Sequence, residues 1–138
     1  MRMMKSINFS FGLLLLFLVN AAHGQMAAVT FQVDMNNVTV SSDGVHIAGG
    51  FQGWDPAATL LSDDDLDGIH EVTIDLPIGS TYGFKFINGA SWDLVEDVPP
   101  TCQVEVSGND NRFVTVDAAD TEVTYYVCWE SCAACGMT

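Results

Sequence analysis

Basic residues are nearly missing from this sequence of 138 residues, where four Lys and Arg stand against 18 Asp and Glu. Two of the four, Arg2 and Lys5, precede an apolar run from Phe11 to Val19 and then Ala22-His23-Gly24. A basic start, a short hydrophobic stretch and small residues at the cleavage positions spell a secretory signal peptide over residues 1–24. The run falls short of the roughly 20 residues of a membrane span, so cleavage is favoured over an uncleaved anchor. Taking 24 residues from 138 leaves 114, Gln25 to Thr138, with Lys85 and Arg112 alone against all 18 acids, or −16. Such a surface repels phosphate backbones and anionic bilayers, which excludes nucleic acid and, after cleavage, membrane as partners. Neutral sugars and cations stay open.

Other scarcities narrow the chemistry further. No cysteine occurs before Cys102, no later segment has membrane length, and only His46 and His70 follow the signal peptide. No nucleophile lies in an evident pairing with a base. The acids are too many for a glycosidase dyad to stand out among them. The chain reads as non-catalytic. The four cysteines, Cys102, Cys128, Cys132 and Cys135, crowd the last third. In an exported protein, extracellular or periplasmic, they are expected as two disulfides. Of the three connectivities, those joining Cys102 to Cys128 or to Cys132 are favoured, because they tie an internal loop to the C-terminal segment. A zinc knuckle would need a second C-x-x-C.

What the sequence does have is period-two alternation, without sustained helical periodicity. Val29 to Met35 alternates strictly, Val45 and Ile47 share a face, and Val72, Ile74 and Leu76 oppose Glu71, Thr73 and Asp75. Tyr82, Phe84 and Phe86 share a face in Tyr82 to Ile87, and Arg112 to Val116 and Glu122 to Val127 add two more strands. Turn signals separate them, among them Asp67-Gly68, Asn88-Gly89 and Gly108-Asn109-Asp110. Short, evenly punctuated strands predict an antiparallel β-sandwich over residues 25–127, followed by a cysteine-rich tail, 128–138. One long connection, Gly49 to Gly68, carries Trp54. A long loop with its own aromatic residue points to function.

Trp54 and Trp92 both sit in loops, in Phe51-Gln52-Gly53-Trp54-Asp55-Pro56 and Asn88-Gly89-Ala90-Ser91-Trp92-Asp93. Exposed indoles offer flat, rigid contact area to the C–H faces of sugars. Buried ones would merely cap the core. Trp129, among the cysteines, reads as structural.

The order of elements resembles the immunoglobulin-like glycogen- and starch-binding modules of carbohydrate-binding families 48 and 20. The likeness runs from Val29 to Val127. It rests on Val45-His46-Ile47-Ala48-Gly49-Gly50-Phe51-Gln52-Gly53-Trp54, Leu60-Leu61 and Ile69 to Pro77. Tyr82-Gly83-Phe84-Lys85-Phe86-Ile87-Asn88-Gly89, Trp92-Asp93 and Asn111 to Val116 complete it. The resemblance implies an immunoglobulin-like sandwich of about seven strands and a shallow site for α-glucan. In it Trp54 and Trp92 stack on glucose, while Lys85 and Asn111 bond hydroxyls. Alternation independently turns Lys85 away from the core, opposite Phe84 and Phe86. The disulfide cluster and Gln52-Gly53, where Asn is common, depart from the family pattern. The competing readings are a structural or adhesion module with buried tryptophans and an accessory domain of a larger glycan-active enzyme.

Asp63, Asp65, Asp67 and Gly68 match the opening of a calcium loop. Ile74 stands where the bidentate Glu belongs, and an acidic hairpin turn with Asp-Gly at its bend is the alternative. No other cofactor is expected. Asn37-Val38-Thr39 is an N-glycosylation acceptor pattern.

Overall fold

A computed structural model describes residues 24–136. All of the signal-peptide segment except Gly24 lies outside the described residues. Eight strands form: β1 (Met26–Asp34), β2 (Val45–Gly49), β3 (Leu60–Leu61), β4 (Ile69–Pro77), β5 (Ser80–Ile87), β6 (Val104–Val106), β7 (Asn109–Val116) and β8 (Glu122–Cys128). The only helical pieces among the described residues are single 3-10 turns, Gly50–Gln52 and Trp92–Leu94. The strands build two sheets, ordered β4-β1-β8 and β3-β2-β5-β7-β6. This is an immunoglobulin-like β-sandwich.

Alternation decides what lies between the sheets. Val29, Phe31 and Val33 of β1 are fully buried, as are Ile47 of β2 and Phe84 and Phe86 of β5. Phe84 packs edge-on against Phe31 and Tyr125, with ring centroids 4.8 and 4.9 Å away. Each such side chain contributes about 1.5–3 kcal/mol by leaving water. Trp129 packs against this core, as its place in the sequence suggests.

The structure departs from the expected topology in three ways. The first is that β1 and β8 run parallel, from Ala28 beside Glu122 to Asp34 beside Cys128. Parallel neighbours need a long crossover, and here the whole intervening domain is that crossover. The second lies within the long connection, where Leu60–Leu61 pairs with β2, a strand too short to show a period. The third concerns Asn109 and Asp110, expected in a turn, which open β7 instead. The turn is the two-residue Ser107-Gly108, with φ of 56° and 78°. Both residues in the left-handed region mark the hairpin turn whose twist matches its strands.

The cysteines pair as Cys102–Cys132 and Cys128–Cys135, closing sequence separations of 30 and 7. Of the two favoured partners of Cys102, Cys132 is the one used. The bridge ties the segment before β6 to the tail. Loop-closure entropy predicts that the pair substitution Cys102→Ser/Cys132→Ser costs about 3.5 kcal/mol, and Cys128→Ser/Cys135→Ser about 2.5. Urea denaturation of both variants should reproduce that order.

Candidate functional site

The outer face of the five-stranded sheet carries an unusual row of residues. On β5, Phe84 and Phe86 point into the core, so Gly83 and Lys85 point out. On β7, Arg112 and Val114 are buried and Phe113 is exposed, so Asn111 and Phe113 share the outer face. Gly83 pairs with Phe113 and Phe84 with Arg112, where the pairing of β5 with β7 ends; Lys85 and Asn111 are the next residues of the two strands.

Two loops fold over this face. After β2 the chain makes a 3-10 turn and passes through Gly53 and Trp54, with φ of 76° and 60°. The left-handed backbone at a bulky residue is held from several sides. Trp54 N donates to Gly49 O at 3.0 Å. The Gln52 amide donates to Ile47 O at 3.2 Å and Asp55 O at 2.7 Å, and accepts from Asp55 N at 2.8 Å. Gln52, a departure from the family pattern, is thus the internal staple of the loop. The six-membered ring of Trp54 lies over Gly83, its atoms 3.8 Å from where a Cβ would stand. Gly49 has no such room: a Cβ there would meet the Phe51 ring at 2.5 Å and Gly83 O at 2.9 Å.

The second loop, 88–96, presents Trp92. Ser91 starts its turn by accepting from Asp93 N at 3.4 Å. Asn88 N donates to Leu94 O, and Val95 N to Trp92 O. Asn88 also accepts from Ser41 N and donates to Thr39 O, fastening the loop to its neighbour. The loop closes where Glu96 N donates to Phe86 O at 3.0 Å.

Glu96 then turns its side chain inward, where sequence reasoning placed nothing. Its carboxylate accepts from Phe86 N at 2.8 Å and from Arg112 at 2.6 to 2.9 Å. Arg112 also donates to Ser131 O at 2.9 Å and to the Tyr125 hydroxyl at 3.4 Å. Both side chains of the pair are fully buried. Burial works against the guanidinium charge, but the Glu96 hydrogen bonds and charge outweigh it and hold the group above its ordinary range. Removing one partner would strand the other charge in the core.

Between the two loops lies an open groove of about 590 Å³, lined by Trp54, Lys85, Trp92, Val95, Val106, Ser107, Asn109 and Asn111. All four residues singled out from the sequence therefore meet in one place. Trp92 is 42 % exposed, Trp54 and Lys85 are half-buried and Asn111 is 3 % exposed. The Asn111 amide donates to Asn109 O at 3.2 Å. Lys85 makes no ion pair among the described residues. Sequence reading missed Val95, Val106, Ser107 and Asn109. The last three sit on the β6–β7 hairpin, whose signal was the short alternation Val104-Glu105-Val106 before Ser-Gly.

The acidic loop lies outside this groove. Carboxylate oxygens of Asp63, Asp65 and Asp67 come within 4.8 Å of one another. Asp63 accepts from Asp67 N and Gly68 N, and Asp67 from Ile69 N, so backbone donors engage two of the three carboxylates. His46 on β2 is buried, at 7 % exposed.

No family model matches the chain. It is 37 % identical over 75 residues to an α-amylase of Niallia circulans and 36 % over 64 residues to one of Clostridium acetobutylicum. Those stretches are 52 and 46 % of this chain, which spans 6 and 8 % of these curated relatives. Among solved structures, a family 15 glucoamylase from Hypocrea jecorina superposes with a TM-score of 0.55 at 25 % identity, over 77 % of this chain and 17 % of that one. The family 20 carbohydrate-binding module of a maltotetraose-forming amylase from Pseudomonas saccharophila gives 0.43 at 25 % identity, over 72 % of this chain and all of the module. The likenesses to the two amylases and the glucoamylase are consistent with the starch-binding resemblance read from the sequence.

The buried pair generates a stability prediction. Glu96→Leu should lower unfolding free energy by about 3–5 kcal/mol, because Arg112 is left charged and unpaired. Adding Arg112→Met should recover most of the loss. Urea unfolding of both variants measures it.

Proposed function

We propose that this protein is a secreted, non-catalytic module that binds α-glucan in the groove between the 50–56 and 88–96 loops. The observation that carries the reading is the meeting of Trp54, Lys85, Trp92 and Asn111 in one open groove. Their sequence positions span 58 residues, from 54 to 111 inclusive. Glucose units present flat C–H faces rimmed by hydroxyls, and the groove has the complementary parts. Trp54 and Trp92 offer rigid apolar faces, and Lys85 and the Asn111 amide offer donors at the floor. The ligand is neutral, so the acidic surface does not oppose it.

The amylases and the glucoamylase that resemble this chain support glucan as the ligand class. The match covers a small part of each enzyme, which fits binding without hydrolysis. Attachment to a larger glycan-active assembly fits the same finding. Two disulfides suit an oxidising, extracytoplasmic compartment. The rival reading, in which the indoles cap the core of an adhesion module, is disfavoured by the exposure of Trp92.

A shallow groove buries little ligand surface, so affinity should fall in the micromolar to millimolar range. Titrating maltoheptaose against tryptophan fluorescence should give a saturable change. Trp92→Ala should weaken binding by about tenfold or more. Lys85→Ala should weaken it by a smaller factor, about threefold to tenfold. An unchanged titration in Trp92→Ala, or no response in the native protein, would sink the reading.

A further inference from the structure

The groove has an unclaimed neighbour. Phe113 is 42 % exposed on the outer sheet face, although the strand residues on either side of it are buried. It lies two residues beyond Asn111 on the same face, about 7 Å along the strand. Its cross-strand partner is Gly83, the residue that the Trp54 ring covers. Directly opposite residues keep their side-chain roots within about 5.5 Å, so the phenyl ring continues the apolar ledge that Trp54 begins. The next outward pair along the sheet is Thr81 and Thr115, exposed and joined hydroxyl to hydroxyl at 2.9 Å.

The outer face of β5 and β7 therefore presents a fixed sequence of surfaces. Lysine and amide come first, then aromatic rings over a glycine, then paired hydroxyls. Alternating flat apolar patches and hydrogen-bonding groups suit a polymer whose units repeat a C–H face and a hydroxyl rim.

We infer that the glucan track extends beyond the groove across Phe113 toward Thr81 and Thr115, so that the module selects longer chains over short ones. This rests on the groove being a glucan site, and the occupant is the continuation of the same chain.

Calorimetric titration of the purified protein with maltotriose and maltoheptaose separates the two ideas. The native protein should bind both, with maltoheptaose tighter by about threefold to tenfold, the value of one added aromatic contact. Phe113→Ser should bind maltotriose as before and lose that gain, while Phe113→Tyr, which keeps a ring, should retain it. Equal affinities in the native protein, or an intact gain in Phe113→Ser, would overturn the extended track and leave the groove standing. Loss of maltotriose binding in a Phe113→Ser protein with native circular dichroism would overturn it too, by placing Phe113 within the groove. Native protein that binds neither sugar would overturn the groove itself.

Discussion

The buried ion pair between Glu96 and Arg112 is the constraint on which the arrangement of the outer face depends. It joins four parts of the chain: the end of the 88–96 loop, β5 through Phe86, β7, and the tail through Ser131. Beyond Phe84–Arg112 the β5–β7 ladder stops, and Glu96 takes over, satisfying both backbone groups of Phe86. A sheet end that would otherwise gape is closed by a carboxylate and an amide from the same residue. Removing two charges from water is expensive, and the mutual attraction repays it only when the remaining donors find partners. Here the guanidinium reaches the carboxylate, a carbonyl and a hydroxyl, and stands 5.9 Å over the Phe86 ring. The geometry therefore specifies one loop position rather than several. Trp92, four residues before Glu96, inherits that position.

The same pair sharpens the role of Lys85. Of the two strongly basic residues among the described residues, one is committed to the core, and the other stands at the floor of the groove. In a chain so rich in carboxylates a lysine could find an acidic partner almost anywhere. Lys85 is shielded from that outcome by its setting, with Ala48 beside it on β2 and amides and aromatic rings around the groove. An unpaired ammonium at a half-buried site retains donors that a hydroxyl-bearing ligand can accept. The loops on either side are fastened by hydrogen bonds, Gln52 within one and Asn88 between the other and its neighbour, so little ordering remains for a ligand to impose.

Much of this was legible in the sequence, for a physical reason. Alternation reports which side chains share a sheet face, so the six principal strands, the core phenylalanines and the outward direction of Lys85 could be read directly. The resemblance supplied the pairing of Trp54 with Trp92, which no local pattern encodes. What escaped notice was non-local or very short. Glu96 and Arg112 are 16 residues apart, and each looks like an ordinary surface charge until the fold brings them together. The parallel contact of β1 with β8 joins the two ends of the domain. The β6–β7 hairpin hid because Asn109 and Asp110 have turn chemistry, yet the turn falls on the two residues before them.

Alternation also explains why a site on the outer face can be placed accurately by a core on the inner one. A slip of one residue in β5 would send Lys85 into the hydrophobic core and Phe84 into water, reversing every position on the strand. The fully buried Phe84 and Phe86 make that slip costly, so the register that fills the core also fixes the outward row. Gly83 belongs to the same logic. A larger side chain at that outward position would compete with the Trp54 indole for the surface on which the ring lies. Inner and outer residues thus interleave on the same strands, and the spacing of the groove residues follows from the packing behind them.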